Sequence, residues 1–402
     1  MNKPRILFVD DEPLMLQGLR NLLWKDKPRW DLVFAEGGKE ALALLDSSSF
    51  DLIISDMQMP GMDGPELLTT VSNRHPATVR FILSGYADRA SMLRGVPMAH
   101  QYLGKPCDSA TLRGAIERAL GLRSALENET LRRMVGKITN LPSVPPTYHE
   151  LCRAVSDPKC GINEITVIVQ SDPALTVRVL QLANSAFFGP TSEVTSIQQA
   201  VRSLGTTMLK GLALVGNILS ALKVTPSDEF STDQWQDNWI RSANLAKSFM
   251  ADPVKADIAF TATLVRDVGK VILASEMPGP FSEILREMKA TGRPQHTVEG
   301  ERLGVTHAEI GAYLLGVWGL PFSIVQSVAF HHTPRVSADG AADIVAAVHV
   351  AGTLTDARDM INFPVEPASL FDMEFLKASG ADQELPRWLA LAGQQDAEIK
   401  QP

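Results

Sequence analysis

The sequence predicts two folds in series: a doubly wound parallel α/β domain over residues 1–122 and an all-α domain over residues 141–355. Three observations predict this. Five short apolar runs alternate with helix-period segments in the first part, as in a parallel sheet covered by helices on both faces. Strand signals then stop near residue 108. A proline-rich stretch, LPSVPP at 141–146, precedes a long helical remainder.

The strands are expected at RILFVD (5–10), WDLVFAE (30–36), DLIISD (51–56), VRFILS (79–84) and HQYLGK (100–105). Several are almost continuously apolar, which fits burial on both faces. PLMLQGLRNLLW (13–24) and GKEALALLDS (38–47) carry apolar residues at helical spacing. The segment 111–138 reads as one long helix, or a helix broken near Gly121, with 123–140 as a helical linker. Its apolar positions Leu112, Ile116, Ala119, Leu126, Leu131, Met134 and Ile138 are roughly heptad-spaced, so a dimeric seam and a helix packed on its own domain both stay open. Further on, DP (172–173), FFGP (187–190), DP (252–253), MPGP (277–280) and GLP (319–321) punctuate a succession of helices. Residues 356–402 read as a mixed C-terminal appendix.

Composition narrows the function classes. Hydrophobic residues make up 45% and charged residues 21% of 402, as in an ordinary globular protein. A net charge of −8 argues against a basic face built to grip nucleic acid. Cys107, Cys152 and Cys160 are too few and scattered for a disulfide framework, and read as reduced thiols. MNKPRILFVDDEP has no apolar run of signal-peptide length and no later run reaches membrane-spanning length, so no membrane association and a cytoplasmic location are expected.

Polar residues cluster at the predicted strand ends. Asp10 and Asp11 close the first strand, Asp56 the third, Ser84 the fourth and Lys105–Pro106 the fifth. In a parallel sheet these ends converge on one crevice. Three carboxylates together need a cation, and hard oxygen ligands with a wet side suit Mg²⁺. Asp56 beside that ion can act as a carboxylate nucleophile and form an acyl phosphate. With these landmarks, residues 1–122 resemble the flavodoxin-like receiver domain of two-component response regulators. The resemblance implies Asp56 as phosphoacceptor, Asp10 and Asp11 as the acidic pair, and Mg²⁺ held by Asp11, Asp56 and the backbone carbonyl of Gln58. It also implies Ser84 and Tyr102 as a switch pair, Lys105 as the phosphoryl contact, a cis Lys105–Pro106 bond, and a sensor histidine kinase as phosphodonor.

The second domain opens with LPSVPPTYHELCRAVSD (141–157) and continues through IVQSDPALTVRVLQLANSAFFGP (168–190), SIQQAVRSLG (196–205) and GERLGVTHAEIGAYLLGVWGLPFSIVQSVAFHH (300–332). These strings resemble the HDOD family, output domains related to metal-dependent HD phosphohydrolases. Against that pattern, Arg241 in NWIRSANLA and Arg266 in TLVRDVGK stand where histidines are expected, although Asp267 remains. His349 stands where a last ligand Asp would come, and no tyrosine follows Tyr313 to supply a Gly-Tyr-Pro motif. Two unit charges about 4 Å apart interact by about 4 kcal/mol at an effective dielectric near 20, and a guanidinium beside a divalent ion is repelled by about twice that. Arginine cannot deprotonate to escape.

A catalytic metal pair is therefore not expected. Three readings of the remaining residues stay open: buried Arg–Asp ion pairs that hold helices together, an anion pocket for a nucleotide-like ligand, or a structural metal on His307, His331 and His332. The whole chain reads as a response regulator whose non-catalytic helical domain signals to a downstream protein. The enzymatic alternative is a cyclic dinucleotide phosphodiesterase with altered ligands, and a homodimer stays open.

Overall fold

The computed structural model describes residues 3–85, 99–125, 145–157, 160–184, 193–205, 209, 232–334, 342–359 and 371–399. Five parallel strands, β1 (Arg5–Val9), β2 (Asp31–Ala35), β3 (Leu52–Asp56), β4 (Val79–Gly85) and β5 (Gln101–Lys105), form one sheet in the order β2-β1-β3-β4-β5. All five fall where the apolar runs predict them. Ile6, Leu7, Phe8, Leu52, Ile53, Ile54, Phe81 and Ile82 are all fully buried, which is why these strands read as runs rather than alternations. The register Phe8↔Ile54, Ile54↔Phe81 and Ile82↔Tyr102 brings the carboxyl ends of β1, β3 and β5 to one edge.

Helices α1 (Pro13–Leu22), α2 (Gly38–Ser47), α3 (Gly64–Arg74) and α4 (Ser109–Ala125) flank the sheet. Helix α4 runs through Gly121 without a break. Its Leu112, Ile116 and Ala119 are buried in this chain's core, so that part of the heptad pattern serves packing rather than a dimer seam. Leu126, Leu131, Met134 and Ile138 lie outside the described residues, as does most of the 123–140 linker.

The remainder is helical: α5 (Pro145–Ser156), α6 (Ile162–Gln170), α7 (Pro173–Ala183), α8 (Thr232–Phe249), α9 (Pro253–Val265), α10 (Val268–Glu276), α11 (Pro278–Thr291), α12 (Gln295–Leu303), α13 (His307–Val317), α14 (Phe322–Phe330), α15 (Ala342–Asp359), α16 (Met373–Ser379) and α17 (Leu385–Ile399). The DP pairs are helix starts. Asp172 accepts from the Ala174 and Leu175 amides at 2.8 and 3.1 Å, and Asp252 caps α9 in the same way, each with proline at the first helical position. Helix α13 is apolar nearly all round and sits in the middle of the domain. The described part of the C-terminal segment packs on α8, where Trp388 stacks on Phe249 at 4.8 Å and donates to its carbonyl. Among the described residues no helix is long and apolar enough to cross a membrane.

Helices α10 and α13 cross so closely that a Cβ on Gly269 would overlap the His307 carbonyl. Gly269→Ala is expected to cost about 3 kcal/mol, because backbone cannot yield as a side chain can. Urea denaturation checks this, with Gly279→Ala as control, since a Cβ there meets nothing and should stay within about 0.5 kcal/mol.

The sheet and the helical domain touch directly. The Gln101 side chain at the start of β5 donates to the Val317 carbonyl at 2.9 Å, and Gln181 of α7 donates to the His100 carbonyl at 2.8 Å. Arg178 of α7 bonds Gln181 at 2.6 Å and lies over the Trp318 ring at 5.5 Å. Gly319, at φ +77°, ends α13 in the left-handed region, and a Cβ there would come within 3.0 Å of Gln101. Arg80 of β4 is fully buried behind this contact, its pKa lowered to about 9 by burial, with Tyr313 of α13 acting in the opposite direction.

Candidate functional site

At the carboxyl edge of the sheet, Asp10, Asp11 and Asp56 each present an oxygen within 4.8 Å of the others. Asp56 is the last residue of β3 and is mostly buried. Lys105, the last residue of β5, places its ammonium 2.7 Å from Asp10 and in an ion pair with Asp56. The Gln58 amide donates to Asp56 Oδ2 at 3.1 Å, so the turn after β3 fixes the carboxylate. That turn is held in place by Met57 N–H to Leu83 O and Gly64 N–H to Met57 O, both at 3.0 Å. A Cβ on Gly64 would overlap the Asp56 carbonyl.

Burial raises the Asp56 pKa, Lys105 opposes this, and Asp10 adds to it. Burial lowers Lys105, but Asp10 and Asp56 outweigh it and the net shift is upward. Two of the three carboxylates, Asp10 and Asp56, thus share one ammonium. Hard oxygen donors with surplus negative charge and an open side fit Mg²⁺. The open side is a cavity bordered by Asp11, Gln58, Met59 and Asp63.

The remaining expected residues divide. Tyr102 is buried, its phenol pushed up by burial with Arg178 acting in the opposite direction, so it lies at the helical domain rather than at the carboxylates. Ser84 pairs with Gly104 at the end of β4; its side chain lies outside the described residues. The Lys105–Pro106 bond is cis. Cys107 is pushed up to about 11 by burial, as suits a structural thiol.

A second constellation lies in the helical core. Asp267, between α9 and α10, gathers His307, His331 and His332, each with one ligand atom within 4.8 Å of the others. His307 opens α13 behind a Thr306–Glu309 capping box. Glu299 of α12 accepts from the His307 amide at 2.8 Å and meets its Nδ1 at 2.6 Å. His331 Nδ1 lies 2.7 Å from the Val328 carbonyl. His349 lies 2.7 Å from the His331 carbonyl through Nδ1, and its Nε2 accepts from the Asp372 amide at 3.2 Å. His349 therefore holds the backbone of a cluster member rather than facing the cluster.

Arg266 points away from the histidines. Its Nε reaches Asp267 Oδ2 at 2.8 Å, Nη1 reaches Ser242 at 2.6 Å and Nη2 reaches Asp356 at 2.7 Å. Of the arginine–Asp267 ion pairs expected from the sequence, the one with Arg266 is present. Burial would raise Asp267, but Lys270 and Arg266 outweigh it and hold the carboxyl well below the ordinary range. Sequence reasoning missed Glu299, Lys270, Ser242 and Asp356, because nothing local in the chain announces which helix faces will meet.

Comparison with known proteins follows the same division. A family model for the response regulator receiver domain matches residues 6–117, and one for the HDOD domain matches residues 141–334. The chain is similar to an uncharacterized protein of Treponema pallidum, 28% identical over 49% of this chain and 38% of that one. It is also similar to the response regulator protein PilR of Pseudomonas aeruginosa, 32% identical over 38% of this chain and 35% of the relative. The chain thus spans little more than a third of these relatives. Among solved structures, the MmoQ response regulator of Methylococcus capsulatus is 25% identical, with 62% of this chain and 98% of that chain covered and a TM-score of 0.48.

Proposed function

The chain is a response regulator in which a receiver domain precedes an HDOD domain, and from that premise we propose that Asp56 accepts a phosphoryl group and that the helical domain reads its arrival through the β5 contact. Asp56, fixed by the Gln58 amide, attacks phosphorus with its carboxylate oxygen, and the bond to the donor's leaving group breaks. Lys105 leaves its ion pair with Asp56 to hold a phosphoryl oxygen. Asp10, Asp11, Asp56 and Gln58 would hold Mg²⁺, which when bound neutralises the carboxylates and the incoming phosphate. The donor is a sensor histidine kinase.

The observation that carries the readout is the position of Lys105 and Tyr102 on the strand that Gln101 ties to Val317. The phosphoryl group, carrying about −1.5 to −2 charge in place of the single carboxylate charge, stands at the end of β3 beside Lys105 of β5. When Lys105 moves to meet it, β5 moves with it, and the helical domain is bound at the other end of the same strand. The output surface engages a downstream signalling protein without hydrolysis. Support for a non-catalytic role is the Arg266 fork, which fills a metal-ligand position with a fixed positive charge. Turnover of a cyclic dinucleotide by the purified chain would overturn that part.

Hydrogen exchange on the full chain tests the switch. With a small phosphodonor and Mg²⁺, amides of β5, α4, α7 and α13 are expected to change protection at least several-fold, and Asp56→Asn should remove the change. Unchanged protection in phosphorylated wild-type protein would sink the model.

A further inference from the structure

Asp267 and the three histidines around it have no role in the receiver chemistry, and their geometry is that of a coordination shell. Nε2 of His307 lies 3.0 Å from Nε2 of His332 and 3.3 Å from Asp267 Oδ1, and Nε2 of His331 lies 3.9 Å from the same oxygen. Four ligands at about 2.0–2.1 Å around a tetrahedral ion are about 3.3 Å apart along each edge. The observed separations scatter around that length.

The outer contacts orient the rings inward. Glu299 engages His307 at Nδ1 and the Val328 carbonyl engages His331 at Nδ1, so that both Nε2 atoms face Asp267. Carboxylate–histidine pairs of this kind fix ring orientation at metal sites. Among the described residues, His331 Nε2, buried and aimed into the cluster, has no hydrogen-bond partner. A buried ring nitrogen in that position costs free energy unless something meets it.

We propose that Asp267, His307, His331 and His332 form a closed tetrahedral site for one zinc-class divalent ion that ties α10, α13 and α14 together. Three imidazoles and one carboxylate suit zinc. Four protein ligands leave no open position, so the site is structural rather than hydrolytic. The repulsion that Arg266 would exert is countered by its own bonds to Asp267 and Asp356 at 2.8 and 2.7 Å, on the far side of the carboxylate. Lys270 reaches Asp267 Oδ1 at 2.8 Å, and the second lone pair of that oxygen serves the ion. Asp267, Glu299 and Asp356 together offset both cations.

Co²⁺ is the probe, because tetrahedral Co²⁺ absorbs strongly in the visible and Zn²⁺ displaces it. Tag-free full-length protein, stripped with a chelator, is expected to bind one equivalent with a tetrahedral spectrum. His332→Gln is the main variant, since this ring is only partly buried; it should weaken binding at least 100-fold while keeping the far-ultraviolet circular dichroism. Glu299→Gln should weaken it about 10–100-fold as an outer-shell change. Asp11→Asn and Asp56→Asn, at the other cluster, should leave the spectrum intact. Substoichiometric uptake, a weak octahedral spectrum, or undiminished affinity in folded His332→Gln would overturn the proposal.

Discussion

Replacing Asp56 by Asn is expected to reduce Mg²⁺-dependent phosphoryl incorporation from a small-molecule donor more than about 10³-fold, the scale on which removal of a nucleophile acts. Asparagine keeps the shape and can still accept from the Gln58 amide, so the turn after β3 should survive. It loses the anionic oxygen, and with it the ion pair to Lys105 and one of three carboxylates around the cation site. Lys105 keeps Asp10 as partner, so the receiver should stay folded. Intact-mass analysis after incubation with donor reads the outcome directly. Undiminished single phosphorylation in Asp56→Asn would move the acceptor elsewhere.

Arg266→Met should destabilise the helical domain by about 3–5 kcal/mol, the usual result of removing one partner from a buried charge cluster. The guanidinium is fully buried and hydrogen-bonds Asp267, Ser242 and Asp356 at 2.6 to 2.8 Å. Methionine fills comparable volume but leaves Asp267 with Lys270 as its remaining cationic neighbour and strands Asp356. Arg266→Lys should recover little, because one ammonium cannot span three partners set in a fork. Adding Asp356→Asn to Arg266→Met should restore part of the loss, and a double-mutant cycle from urea denaturation measures how much. Additive single-mutant effects would contradict a coupled network. A Cβ on Gly352 would overlap Arg266 Nη1, so the arginine and the glycine of α15 form a matched pair.

Much of the first domain was legible in the chain itself. The continuous apolar runs located all five strands, and the polar residues at their ends located the carboxylate site, because a parallel sheet must bring those ends together. In the helical domain, the DP pairs marked helix starts through capping chemistry that is local and therefore readable. What stayed hidden depends on how helices cross. Nothing in TLVRDVGK says that Arg266 turns toward α8 and α15 while Asp267 turns toward α13. Glu299 lies eight residues before His307, across a turn whose geometry brings the two together. His349 stands where a last ligand Asp was expected, and its contact with the His331 backbone was not legible. Gln101 and Gln181 meet their partners across the boundary between the two domains, which no local pattern announces.

A helix ends with carbonyls that its own backbone cannot satisfy, and some outside donor must meet them. At the end of α13 one such donor comes from the sheet of the other domain. The receiver thus completes a helix terminus that its neighbour cannot finish alone. Folding of each part raises the stability of the other, in the way a tightly held ligand does. The two folds should then melt in a single transition, and the helical domain cut free of its sheet should melt earlier than it does in the intact chain.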